Sequence, residues 1–260
     1  MTVLKIATWN VNSLRVRLPH VLQWLAEAKP DILALQELKM PTEEFPAAEI
    51  AAAGYHAIVN GQKTYNGVAV LARDSLFSDV IMDLPGFEDH QRRVLAVTVL
   101  GVRVINLYVP NGESLVSEKY QYKLDWLSKL RPFLKDELAI HGRLVVLGDF
   151  NIAPDDRDVH DPREWAGHVL VSEAERQALR GVLLSGLRDS FREINPDEIA
   201  YSWWDYRLNA FKRNRGLRID HILCSEALFA GCERCIIDKS VRGWERPSDH
   251  APVWAEFRLD

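Results

Sequence analysis

Apolar runs along this chain end repeatedly in side chains that can do chemistry. Asn10 and Asn12 follow the first run, Glu37 ends the second, and Tyr108 and Asn111 close another. Asp149 and Asn151 follow a fourth, Asp220 lies within a fifth, and Asp249-His250 precedes the last. Singly, Asn and Asp at such places serve as turn and cap residues. Capping gives no reason for carboxylates, amides, a phenol and an imidazole to recur together, and charged groups are rarely buried without partners. Convergence on one rim of a sheet is therefore the expectation. Glu37, flanked by amide oxygens and Asp249, makes a hard, oxygen-rich site suited to Mg²⁺ or Mn²⁺ rather than zinc. Asp220 can orient the His250 imidazole. Asp149 and Asn151 can handle water and phosphate, and Tyr108 can donate to a phosphate oxygen. Together they describe metal-assisted attack of water on a phosphodiester.

Those residues need a sheet to hold them. Strands are expected over 3–8, 31–36, 68–72, 94–99, 103–108, 144–148, 218–223 and 253–257. Pro19 suits the first position of a helix whose apolar face is Val21, Leu22 and Leu25, running to Lys29-Pro30. Steps of three or four through Tyr120, Leu124, Leu127, Leu130 or Arg131, Leu134 and Leu138 predict a helix over 116–138, kinked or divided at Pro132, and a third helix covers 173–184. Strands interleaved with helices imply a sheet core covered by helices. No linker, low-complexity tract or short-period repeat interrupts residues 1–260, so one domain is expected.

At 260 residues, 47% hydrophobic and 27% charged, the composition excludes disordered, collagenous and disulfide-stapled classes. Lys plus Arg total 32 against 37 Asp plus Glu, a net charge of −5, which argues against a protein that binds nucleic acid by bulk positive charge. Three cysteines, an odd number, point to a reducing compartment, and Cys232-Glu-Arg-Cys235 lacks the second pair that a zinc site needs. The first residues carry no signal-peptide pattern, and no apolar run approaches the roughly 20 residues of a membrane span. A cytoplasmic protein with no membrane partner is expected.

Trp9-Asn10-Val11-Asn12, Gln36-Glu37-Leu38-Lys39, Tyr108-Val109-Pro110-Asn111-Gly112-Glu113, Gly148-Asp149-Phe150-Asn151, Gly216-Leu217-Arg218-Ile219-Asp220 and Ser248-Asp249-His250 occur in this order. The set resembles the exonuclease III family of DNA repair nucleases, within the endonuclease/exonuclease/phosphatase group, over essentially the whole chain. The resemblance implies a four-layer α/β sandwich, two mixed sheets face to face with helices outside. It implies Glu37 as principal metal ligand, with Asn10, Asn12 and Asp249 around the metal or its waters. Asp149 would handle the nucleophilic water or the leaving oxygen, with Asn151 orienting it. Tyr108 and His250 would stabilise phosphate, and Asp220 would orient His250. Asn12 stands where many relatives have Asp, which lowers the site's negative charge, and Leu38 stands where Thr is common.

Substrate residues are sought outside the metal site, because the wider group also includes inositol-phosphate and lipid phosphatases. Arg92 and Arg93, and Lys212, Arg213, Arg215 and Arg218, can form a basic rim despite the negative total. Tyr201-Ser202-Trp203-Trp204-Asp205-Tyr206-Arg207 resembles the loop with which relatives contact DNA, and Leu217 and Ile219 match positions lining an abasic-sugar pocket. Arg92, Asn111, Trp203, Arg215, Leu217 and Ile219 are thus the candidate substrate contacts. The expectation is a monomeric Mg²⁺-dependent enzyme acting on duplex DNA with abasic sites or 3′-blocked ends, with Mn²⁺ able to substitute. Within 155–171, a bulky His168 or Leu170 pointing inward would obstruct an extruded sugar and favour 3′-end processing.

Overall fold

The structure, a computed structural model, describes residues 2–259. In chain order it runs β1 (Thr2–Asn10), α1 (Leu14–Ala28), β2 (Ile32–Gln36), α2 (Ala47–Ala52), β3 (His56–Asn60), β4 (Val68–Ala72), β5 (Ser78–Ile81), β6 (Val94–Val99) and β7 (Val102–Tyr108). It continues through α3 (Glu118–Ile140), β8 (Leu144–Asp149), α4 (Pro162–Trp165), α5 (Glu173–Leu183), β9 (Leu187–Asp189), α6 (Ser190–Ile194), β10 (Asp220–Ser225), α7 (Glu226–Phe229), β11 (Cys232–Ile237) and β12 (Val253–Leu259). The strands form two six-stranded sheets, β11-β12-β1-β2-β4-β3 and β5-β6-β7-β8-β10-β9. Both are mixed: β1 runs parallel to β2, and β7 to β8, against antiparallel neighbours.

Strand periodicity decides what meets between the sheets, since alternate side chains face opposite ways. Val102 and Val104 of β7, Val145 and Leu147 of β8, and Ile222 and Cys224 of β10 share one core with Ile6, Ala34 and Val70 of the first sheet. The opposite face of the second sheet packs Ile105, Leu107 and Val146 against Leu127, Leu130 and Leu134 of α3 and Leu179 and Val182 of α5. On the far side of the first sheet, Trp24 of α1 meets Trp9 with ring centroids 6.1 Å apart. These are the four layers expected. Polar side chains also bridge the sheets: Gln36 donates to Thr8 Oγ1 and Asn106 Oδ1, both at 2.8 Å, and Asn106 donates to the Leu35 and Ala69 carbonyls at 3.0 and 2.9 Å.

The fold corrects the sequence reading in several places. α1 begins at Leu14, so Pro19 lies inside the helix and not at its first position. Pro132 likewise sits within one continuous α3. Both prolines are exposed, so each missing backbone hydrogen bond faces solvent and the buried stripe is undisturbed. The strand expected over 218–223 starts at Asp220, because Leu217 is already pairing with Val159 and Trp203. Four strands went unforeseen: β3, β5, β9 and β11. Cys232 and Cys235 fall on β11, and all three cysteines are free thiols. No helix among the described residues is long and apolar enough to cross a membrane.

Candidate active site

The inward-facing rows of both sheets turn polar at the same end. On β8 the parity that buries Val145 and Leu147 continues to Asp149, and on β7 that of Val104 continues to Asn106 and Tyr108. Tyr108 is in register with Asp149, and Asp149 with Asp220, so three functional groups stand side by side on adjacent strands. Asn10, at the end of β1, faces them from the other sheet. Gly148 makes this possible: at φ +139 it lies so close to β7 that an added Cβ would sit 1.9 Å from the Leu107 carbonyl oxygen. Around the rim Asn12, Glu37, Lys39 and Asn151 all adopt left-handed backbone, at φ 43, 54, 53 and 50. Such conformations in residues other than glycine persist where the surroundings over-determine them, and they concentrate at functional sites.

Asn10 ties the two sheets' carboxylates together. Its Nδ2 donates to Glu37 Oε1 and to Asp149 Oδ2, both at 2.9 Å, while its Oδ1 accepts from the Asn12 amide. Glu37 Oε1 also accepts the Tyr108 hydroxyl at 2.9 Å, and its Oε2 pairs with Lys39 Nζ at 2.9 Å. Lys39 Nζ reaches Asn12 Oδ1 at 2.6 Å, and Asn12 Nδ2 donates to Asp249 Oδ1 at 2.9 Å. Trp203 Nε1 holds the other Asp249 oxygen at 3.0 Å. Asp149 is fixed by the amide and Nδ2 of Asn151, at 2.9 and 3.2 Å. Asn111 donates to Asn151 Oδ1 at 3.1 Å.

His250 Nδ1 donates to Asp220 Oδ2 at 2.9 Å, and its Nε2 lies 3.8 Å from Asp149 Oδ2. Ser202 Oγ donates to Asp220 at 2.6 Å and accepts the Ile219 and Asp220 amides. Burial opposes charge on the imidazole, but Asp220 and then Asp149 outweigh it and raise the His250 pKa, holding the ring as a cation. Asp149 moves upward too, first through burial, with His250 opposing and Asp220 adding. The Tyr108 hydroxyl is pushed well up by burial and by the Glu37 and Asp149 carboxylates, so it remains a proton donor.

Glu37, Asp149 and His250 bring ligand atoms within 4.8 Å of one another. Two of the three are oxygen donors, and His250 Nδ1 is already engaged by Asp220. Four carboxylates, Glu37, Asp149, Asp220 and Asp249, face two cations, Lys39 and His250, in a partly buried space. That surplus of hard, negative oxygen fits a divalent cation that binds oxygen.

The outer candidates divide. Asn111 and Trp203 reach the cluster. Arg92 turns away and pairs with Asp83 at 2.7 Å, while Arg93 lies over the Tyr108 ring, 4.7 Å from its centroid. Arg215 pairs with Glu164 and donates to His160 Nε2 at 3.2 Å. Arg218, expected on a basic rim, is buried against Asp158 and Asp189 at 2.6 and 2.8 Å and presents nothing to a ligand. Lys212 and Arg213 are exposed. Leu217 and Ile219 do not line an open pocket: they are 0% and 1% exposed, packed with Leu170, Val159 and Ala153. Leu170 points inward, whereas His168 is exposed and meets Trp165 edge-on. Two clefts flank the cluster. One of about 860 Å³ is lined by Glu37, Tyr65, Arg93, Asn111 and Lys119, and one of about 510 Å³ by His160, Trp165, Trp203, Leu208 and Arg215. Sequence reasoning passed over Lys39 and Ser202, although both lie inside quoted motifs. It also passed over Lys123, whose position on a helix gave no sign of burial.

The chain matches the Endonuclease/Exonuclease/phosphatase family over residues 7–250. It is 38% identical to the exodeoxyribonuclease III of Haemophilus influenzae, over 98% of this chain and all of that protein. Among solved structures it resembles the 3′ phosphatase NExo from Neisseria bound to a product DNA hairpin, with TM-score 0.97 and 52% identity across 98% of this chain and 100% of that one. An AP endonuclease from Archaeoglobus fulgidus superposes with TM-score 0.95 and 41% identity over the same shares.

Proposed function

The chain belongs to the endonuclease/exonuclease/phosphatase family, and from that premise we propose a DNA repair nuclease, one catalytic domain over residues 1–260 that works as a cytoplasmic monomer. The observation that carries this reading is the constellation in which Asn10 joins Glu37 to Asp149 while Asp220 holds a protonated His250 beside them. Mg²⁺, with Mn²⁺ as substitute, would be held by Glu37 with Asn10, Asn12 and Asp249 about it, and would supply Lewis acidity and charge neutralisation at the scissile phosphate. The chain's own groups do the rest. Asp149, poised by Asn151, takes the proton of the attacking water or gives one to the leaving oxygen. His250 and Tyr108 donate to phosphate oxygens as charge builds there. Asn111 and Trp203 position the strand.

The preferred substrate is a 3′-blocked end of duplex DNA rather than an internal abasic site. Leu170 fills the apolar space over Leu217 and Ile219 that an extruded sugar would enter, and the 3′ phosphatase relative is the more similar of the two solved enzymes. A panel of three duplexes, with EDTA controls, tests both levels: an internal abasic site, a nick bearing a 3′-phosphate, and a blunt undamaged end. Cleavage should need Mg²⁺, and the 3′-phosphate should be removed about ten-fold or more faster than the abasic site is cut. Equal rates on those two would remove the case for Leu170 as an obstruction, and EDTA-resistant cleavage the case for a metal.

A further inference from the structure

Below Asn111 and Asn151 lies an ion pair that the rim chemistry does not use. Lys123 of α3 and Glu175 of α5 are both fully enclosed. An ammonium has three N–H donors and no acceptor. Lys123 gives all three, to the Asn111 carbonyl at 3.1 Å, the Asn151 carbonyl at 2.7 Å and Glu175 Oε1 at 2.5 Å. Glu175 Oε1 also accepts the Leu170 amide at 3.0 Å, while its Oε2 accepts the Ser172 amide at 3.0 Å and hydroxyl at 2.6 Å. From the other side, the Ala153 amide holds the Leu170 carbonyl at 2.7 Å. Leu170 itself sits at φ 76, where a bulky side chain is out of place unless it is held there. One pair of charges therefore joins the two loops that bear Asn111 and Asn151 to a third that bears the apolar wall.

We propose that Lys123 and Glu175 are positioning residues for substrate choice: the pair fixes the Leu170 wall relative to Asn111 and Asn151, and so sets the ratio of 3′-end hydrolysis to abasic incision. This rests on the reading of Leu170 as the wall. A pair that only stabilised the fold would, when altered, lower both activities with the folded fraction and leave their ratio alone. A positioning pair moves the ratio in protein that is fully folded.

The test measures kcat and KM, in Mg²⁺, on the nicked 3′-phosphate duplex and on the abasic duplex. Glu175→Gln keeps the shape and removes the charge. It should raise the abasic to 3′-phosphate ratio of kcat/KM about ten-fold, mainly through kcat, since small misplacements near reacting groups act there. Leu170→Ala opens the wall directly and should shift the ratio the same way, and adding Glu175→Gln to it should shift the ratio no further. Ser172→Ala removes one tether and leaves both charges, so it reads the same ratio, with a change of about three-fold, even if Glu175→Gln does not fold. An unchanged ratio in folded Glu175→Gln, or in Ser172→Ala where the former fails to fold, overturns the positioning role if Leu170→Ala does move it. An unchanged ratio in Leu170→Ala overturns the wall itself, and the proposal with it.

Discussion

Asp220 and His221 are neighbours on β10, yet they serve opposite charge clusters. Asp220 faces the rim and its imidazole partner, His250, is protonated; His221 faces away and accepts from Arg218 Nη1 at 3.1 Å while donating to the Ile152 carbonyl at 2.9 Å. Burial and then Arg218 lower the His221 pKa, so this ring is neutral. Around it Arg218 and Arg192 meet Asp158 and Asp189, two cations for two anions. Burial works against both carboxylates, but Arg218 outweighs it and holds each below the usual range. The rim has surplus carboxylates, and burial pushes one of them, Asp149, upward; the cluster beneath is balanced, and Asp158 and Asp189 are held low in it. Balance locks a structure, whereas surplus leaves room for a cation and a proton to arrive.

Substitutions on the two sides should fail differently. Asp149→Asn is expected to cut turnover by about a thousand-fold or more, leave DNA binding largely intact, and keep or raise the melting temperature, because it removes one of the surplus charges. Steady-state rates and a thermal melt check both halves, and retained turnover would refute the role given to that carboxylate. Arg218→Met should instead cost about 3–5 kcal/mol in urea unfolding by stranding Asp158 and Asp189 in the interior. A loss under about 1 kcal/mol would mean the lower cluster is not balanced as described. The smallest effect is in pH. Because Asp158 and Asp189 titrate lower folded than unfolded, their stabilisation is complete above the ordinary carboxyl value of about 4 and is lost as pH falls through their folded values. His250, raised when folded, stabilises fully below about 6.5 and loses that contribution as pH rises through its folded value. Melting curves in EDTA should therefore fall off on the acid side in a limb that Arg218→Met removes and His250→Asn leaves in place.

The sequence made the centre of each sheet legible and left the edges obscure. Residues 68–72 and 94–99 form strands with the bounds expected, since both are apolar runs that the two-layer core demands. β5 and β11 are edge strands with exposed positions, Ser-Asp-Val-Ile and Cys-Glu-Arg-Cys-Ile-Ile, and carry no apolar alternation to read. The rim residues were legible for a related reason: a strand parity that turns from Val to Asp is visible in one dimension. Arg218 misled because a cluster of basic residues looks alike whether it faces solvent or a buried Asp158. Lys123 was invisible because helix periodicity counts lysine as solvent-facing. Its burial follows from loops that return their carbonyls from 12 and 28 residues away.

The first sheet closes on the last strand: β12 lies between β1 and β11, with Thr2 opposite Leu259 and Thr8 opposite Val253. Asp249 and His250 stand just before that strand, across the rim from Asn10. During synthesis, a ribosome-bound chain carries Glu37 and Asp149 long before it carries the imidazole or the strand that seats it. A chain cut short of residue 249 keeps Glu37 and Asp149 but has neither the imidazole nor the strand that seats it, and is expected to cleave no DNA.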